Sequence, residues 1–259
     1  VLWEVYSERV ETLNLRRSGD DRVSPMIPES VRLASPDRAL CVTCGLYRTC
    51  QRPFMRPYVP RGWTRRFLGV VEGPGEHEDE TSGQPLTGPS GQLLRRLIEE
   101  VGHSPTDWAF TNAVICRPPK NATPRMTQVR ACRPFLLSAL DTLRPESVVG
   151  FGDTAFRALL NQGTLTVTRF RGRLQVIPDL AVPPRCWVTY HPASCLYPGG
   201  SANRFAMLRD LRRVWDWLPE PADQIPTVED TVAVDTEYAA DGRVLCVAWA
   251  TDALAGCDV

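Results

Sequence analysis

The sequence predicts an α/β fold: a parallel sheet with helices on both faces, followed by a shorter β segment. Three observations carry that reading. Four short apolar runs alternate with stretches of helical spacing. The runs are hydrophobic almost throughout, as strands buried on both faces are. A proline- and acid-rich stretch, 218–230, then separates this body from a new strand pattern.

Residues 1–38 are polar and proline-containing, with a short helical pattern over Val1–Leu15, and read as an N-terminal extension. The main domain spans 39–217. Its first strand is Arg66–Glu72 (RFLGVVE), ending in a glycine-rich turn, and Gln92–Val101 has helical spacing after Gly91. Trp108–Ile115 is the second strand. Thr127–Leu143 is a helix with Val129, Cys132, Leu136 and Leu140 on one stripe. Ser147–Gly152 is the third strand, leading to a helix over Ala155–Leu160. Cys186–Tyr190 is the fourth strand, and Ala202–Leu218 the last amphipathic helix. In a parallel sheet the site lies beyond the carboxyl ends of the strands. Here those ends bring together Glu72-Gly-Pro-Gly75, Asn112, Gly150-Phe-Gly152 and His191-Pro192.

With 259 residues and 43% hydrophobic content the chain can bury one full core with residues left over. No apolar run approaches the roughly 20 residues that cross a membrane, and Val1–Arg17 lacks the form of a signal peptide. A soluble, cytoplasmic protein is expected. The net charge of zero hides a division. Residues 218–259 hold nine acids against one base, Arg243, so a tail of −8 is balanced by +8 over residues 1–217. A basic body suits a polyanionic partner.

Nine cysteines in a chain of this length without a secretory signal point to metal ligation more than to disulfides. Cys41-Val-Thr-Cys44 is a C-x2-C pair, and Cys116 and Cys132 follow with fifteen residues between them. Four thiolates hold either zinc or an iron–sulfur cluster, and the spacing alone leaves both open. Cys50 is a fifth candidate. Cys186, Cys195, Cys246 and Cys257 read as small apolar residues.

In order, the motifs are Cys41-x2-Cys44, Glu72-Gly-Pro-Gly-Glu-His-Glu-Asp79, Gly83-Gln-Pro-Leu-Thr-Gly88, Ser90-Gly-Gln-Leu-Leu94, Thr111-Asn-Ala-Val-Ile-Cys-Arg-Pro-Pro119, Cys132 and Thr189-Tyr-His-Pro192. From about Cys41 to Trp217 this series resembles the family 4 uracil-DNA glycosylases. The resemblance implies a three-layer α/β/α domain with a four-stranded parallel sheet. It also implies that Cys41, Cys44, Cys116 and Cys132 hold a 4Fe–4S cluster of structural role, and that the substrate is uracil-containing DNA, single- or double-stranded.

The chemistry asks for such residues. Excision needs the nucleotide flipped out of the stack into a pocket that reads its edge. The resemblance gives that reading to Asn112, whose amide complements O4 and N3–H of uracil. Cytosine reverses the pattern and leaves polar groups unpaired. Bond cleavage leaves negative charge on the base, which His191 can stabilise by donating to O2, and positive charge on the sugar, which Glu72 or Glu78 can meet. The turn at Gly73 and Gly75 allows close backbone approach to the base. The remaining acids of Glu76–Glu80 are expected in solvent, and Arg117, Arg204, Arg209, Arg212 and Arg213 are candidates for phosphate contact. Leu86 stands where the family carries a base-stacking Phe, and the preceding loop is one residue longer, at Ser82. The insertion that marks covalently trapping relatives is absent after Cys116, so turnover is expected.

Beyond the 218–230 linker, Val232-Ala-Val-Asp235-Thr-Glu237 resembles the first motif of the 3′–5′ exonuclease domains of family A DNA polymerases. There the two acids bind catalytic metals. Residues 231–259, with Val244–Ala250 as a hairpin partner, are thus expected to begin a truncated exonuclease-like domain, and the chain to be a monomer continuous with a larger exonuclease/polymerase product. The rival functional readings are a non-catalytic uracil- or DNA-binding module, which Leu86 favours, and a four-cysteine zinc protein.

Overall fold

A computed structural model describes residues 38–216 and the strand segments 233–238, 244–250 and 255–258. The chain divides into two compact units, Val1–Trp215 and Asp216–Val259. The helix expected over Val1–Leu15 and the linker 218–230 fall outside the described residues.

The first unit is built on β1 (Phe67–Val71), β2 (Trp108–Asn112), β3 (Ser147–Phe151) and β4 (Arg185–Thr189). Their order is β2-β1-β3-β4 and every pairing is parallel, as expected. All four are buried along nearly their whole length. Side chains alternate between two cores because successive residues of a strand point to opposite faces. Leu68, Val70, Ala109, Val148 and Cys186 face one core. It is closed by α1 (Arg38–Cys44), α3 (Met126–Leu143) and α4 (Asp153–Leu160). Phe67, Val71, Trp108, Phe110, Val149 and Trp187 face the other, closed by α2 (Pro89–Glu100) and α6 (Ser201–Asp216). The result is the three-layer α/β/α arrangement. A one-turn helix, α5 (Val167–Phe170), packs beside β4.

Most departures from the expected boundaries lie at the ends of elements. α2 starts three residues earlier than its periodicity suggests because Pro89 occupies the first helical turn, where a missing N–H costs nothing. α4 starts at Asp153, before its apolar stripe. β2 ends at Asn112, but Ala113 and Val114 still donate to the carbonyls of Val71 and Glu72 (2.7 and 3.1 Å), so the extended path runs on beside the end of β1. α3 continues through Pro134 because its buried stripe of Val129, Cys132, Leu136 and Leu140 is anchored in the core.

The second unit contains β5 (Ala233–Tyr238), β6 (Val244–Ala250) and β7 (Ala255–Asp258), antiparallel in the order β5-β6-β7. The expected hairpin is present, with Asp235 opposite Ala248 and Glu237 opposite Cys246. A third strand, not foreseen, follows it. Among the described residues no helix is long and apolar enough to cross a membrane.

Candidate active site

Glu72 follows directly on β1, and the Gly73-Pro74-Gly75 turn carries the chain away from the sheet. Together with Glu78, Leu86, Asn121 and His191 they line a cavity of about 220 Å³ at the carboxyl ends of the strands. A wider depression of about 510 Å³ shares Glu72, His191 and Ala193 and extends to Tyr197 and Asn203.

The two candidate carboxylates are employed differently. Glu78 is 8% exposed and uses both oxygens structurally: Oε2 accepts from Gly75 N–H and Oε1 from Gly88 N–H, each at 3.0 Å. It thereby ties the glycine turn to the start of α2, where the helix dipole also favours a negative charge. Glu72 is held through one oxygen, Oε2, by the Thr154 hydroxyl at 2.5 Å. Burial raises its pKa above the ordinary carboxylate range, an effect opposed by the Thr154 hydrogen bond and Arg157 and reinforced by Asp153.

His191 begins the turn after β4. Its Nδ1 accepts from the backbone N–H of Ala193 at 3.2 Å, so the neutral ring carries its proton on Nε2. Burial lowers its pKa from about 6.5 to about 4, with the negative charge of Glu78 pulling the other way. The imidazole is therefore neutral near pH 7. Gly152, at φ +89°, passes so close that a Cβ there would lie 2.9 Å from His191 Cβ.

Leu86 lines the cavity in a left-handed conformation, φ +58°. Its carbonyl packs on Gly91, where a Cβ would meet it at 2.0 Å. The loop expected to be one residue longer forms a wide turn, Glu78–Ser82, closed by Gly83 N–H donating to Glu78 O (2.8 Å), an i→i+5 bond that absorbs an extra residue.

Asn112 is not among the lining residues. It pairs with Val71 across the strands, is 2% exposed, and its Nδ2 donates to Met55 Sδ at 3.5 Å. Asn121, which the sequence did not single out, does line the cavity.

The acidic loop is less solvated than expected. Asp79 is buried and accepts from the N–H groups of Gln51 (3.0 Å) and Arg52 (2.7 Å). Arg117 donates to Glu76 and Glu80 at 2.9 Å and to Asn121 at 2.8 Å, so its guanidinium is occupied within the protein. Arg204 pairs with Glu100.

The cysteines gather at the junction of α1 and α3. Burial pushes the Cys132 thiol up to about 12, and the nearby Cys44 and Cys41 add to the effect. Cys116 is raised in the same way, by burial first and then by Cys50 and Cys132. Phe54 N–H points at Cys116 Sγ (3.4 Å). Buried thiols facing one another fit a metal centre, which takes them as thiolates and cancels their charge. Among the described residues, no three His, Cys, Asp or Glu side chains close on one point as the donors of a single ion do. Cys186 is fully buried in β4, within the core.

A four-stranded parallel sheet bearing a small cavity of glycine turn, carboxylate and imidazole at its carboxyl edge defines an α/β enzyme-like site. The family model of the Uracil DNA glycosylase superfamily matches residues 64–218, and the chain belongs to that superfamily. It is 36% identical over 196 residues to the Type-4 uracil-DNA glycosylase of Saccharolobus solfataricus, covering 73% of this chain and 87% of that relative. To the Type-4 uracil-DNA glycosylase of Thermotoga maritima it is 34% identical over 154 residues, 59% of this chain and 78% of the relative. It is 28% identical over 199 residues to the Type-5 uracil-DNA glycosylase of Pyrobaculum aerophilum, 68% and 86%.

Proposed function

We propose that the chain is a uracil-DNA glycosylase that hydrolyses the N-glycosidic bond of flipped-out deoxyuridine, a step of base excision repair. The observation that carries this is the meeting of Glu72 and His191 in one cavity with the Gly73–Gly75 turn and Leu86. Uracil enters against Leu86. The Nε2–H of the neutral His191 donates to O2 as negative charge builds on the departing base, and needs no proton from solvent to do so. Glu72, ionised, meets the positive charge developing on the sugar and orients the attacking water. It suits that role better than Glu78, both of whose oxygens are already engaged by backbone N–H groups. Asn112 exchanges its contact with the Met55 thioether, a weak acceptor, for O4 and N3–H of uracil.

Cys41, Cys44, Cys116 and Cys132 would hold a 4Fe–4S cluster. Hydrolysis involves no electron transfer, so a cluster held there would brace α1, α3 and the segment that continues β2. The partner is DNA, met by a basic body acting as a monomer in the cytoplasm. The reading of Asp235 and Glu237 as the opening of an exonuclease-like domain, in a larger polymerase fusion, rests on the motif alone; a longer chain extended beyond Val259 that degrades no 3′ end with added divalent metal would sink it.

The test of the main reading is release of free base from oligonucleotides, single- and double-stranded, that carry one uracil, cytosine or thymine. Release from the uracil strand alone is expected. A folded protein that binds the DNA yet frees no uracil would establish the binding-module reading, for which Leu86 in place of an aromatic residue speaks.

A further inference from the structure

We propose that Thr154 is a positioning residue for Glu72: its hydroxyl fixes one carboxylate oxygen so that the other is presented to the cavity. The inference rests on the glycosylase reading for its catalytic consequence, and on geometry for the rest. Thr154 stands in the first turn of α4, is 3% exposed, and donates to Glu72 Oε2 at 2.5 Å across 82 residues of sequence. α4 is in turn set by Gly152, whose positive φ turns the chain out of β3 beside His191. One short connection therefore sets the helix that holds Glu72 and passes directly against His191.

A carboxylate at the end of a strand has free rotation about its side-chain bonds unless something holds it. Ordering it in advance removes a cost that would otherwise fall on the reaction step. The groups that face Glu72 are the Thr154 hydroxyl, Asp153 and Arg157 from α4. His191 and Glu78 share its cavity. Arg157 is partly taken up by Asp153 (3.4 Å) and by the Leu165 carbonyl (2.8 Å). The hydroxyl is thus the closest group favouring the ionised form, against burial that disfavours it.

The experiment compares the parent with Thr154→Val, which keeps the shape and removes the donor, and Thr154→Ser, which keeps the donor. Two readouts are used on holoprotein. The titration of the Glu72 carboxyl is followed by carbon NMR and needs no catalysis. It is expected to move to higher pH by about one unit in Thr154→Val, the size of a lost hydrogen bond to a charged group, and to return in Thr154→Ser. The single-turnover rate of uracil release is expected to fall about tenfold near neutral pH in Thr154→Val, with DNA affinity unchanged and the acid limb of the pH profile shifted upward. In a Glu72→Gln background, Thr154→Val should cost nothing further. An unmoved Glu72 titration, or an equal loss of rate in the Glu72→Gln background, overturns the proposal. A parent that releases no uracil defeats the glycosylase reading instead, and the titration still decides whether Thr154 holds Glu72.

Discussion

Glu78 joins two backbone N–H groups thirteen residues apart, those of Gly75 and Gly88, and removing it should be felt in stability before it is felt in chemistry. Its carboxylate accepts from Gly75 N–H and Gly88 N–H, both at 3.0 Å, and is only 8% exposed. Hydrogen bonds to a charged acceptor contribute about 1.5–3 kcal/mol each, and the position at the start of α2 adds about 0.5 kcal/mol. Glu78→Ala leaves both N–H groups beside a cavity that water can enter. That recovers part of the loss, so a net destabilisation of about 3 kcal/mol is expected. Glu78→Gln keeps one acceptor but turns an NH2 toward an N–H, and should cost about 2 kcal/mol. Urea unfolding with an unchanged slope would measure both. Uracil release should fall in parallel, because the Gly73–Gly75 turn loses its anchor. A change under about 0.5 kcal/mol for both variants, the size of an ordinary surface substitution, would refute the bridging role.

Four other expectations follow from named contacts. Because burial lowers the pKa of His191 to about 4, the unfolded chain binds the extra proton between about pH 6.5 and 4. Stability should therefore decline by about 3 kcal/mol as pH falls through that window, and His191→Gln should flatten the decline in urea melts taken across it. Gly91→Ala places a Cβ 2.0 Å from the Leu86 carbonyl, a backbone atom that cannot swing away; a loss of about 2 kcal/mol or more in melting experiments is expected, as for other overpacked sites. On the proposed 4Fe–4S reading, Cys132→Ala should remove the brown colour and iron that anaerobically purified protein would carry, while Cys186→Ala, buried in β4, should leave both. Leu86→Phe restores a stacking face and should tighten uracil-DNA binding by about 1 kcal/mol, read as a roughly fivefold lower KM.

Much of the fold was legible because strands buried on both faces leave continuous apolar runs, as in Phe67–Val71 and Ser147–Phe151. Helix starts were less so: Pro89 and Asp153 lie outside the apolar stripes that reveal α2 and α4. The glycine turn, Leu86 and His191 line one cavity. That backbone N–H groups engage both oxygens of Glu78, and a side-chain hydroxyl one oxygen of Glu72, was not readable, since those partners come from separate segments. Asp79 looked like a solvated acid because its partners, Gln51 and Arg52, lie 28 and 27 residues away and act through backbone N–H groups. Asn112 was expected to face the cavity, but Met55, brought from a distant segment, covers its amide. No periodicity reports such a contact.

The most direct test of the active-site assignment is uracil release under single-turnover conditions by the parent beside Glu72→Gln, His191→Ala and Asn112→Ala. Loss of about a hundredfold or more in rate for Glu72→Gln and His191→Ala, with DNA affinity little changed, is the expected result, in line with removal of a group that stabilises transition-state charge; Asn112→Ala should lose rate through its missing hydrogen bonds to the base. Release of uracil by Glu72→Gln and His191→Ala as fast as by the parent would place the chemistry elsewhere on the protein.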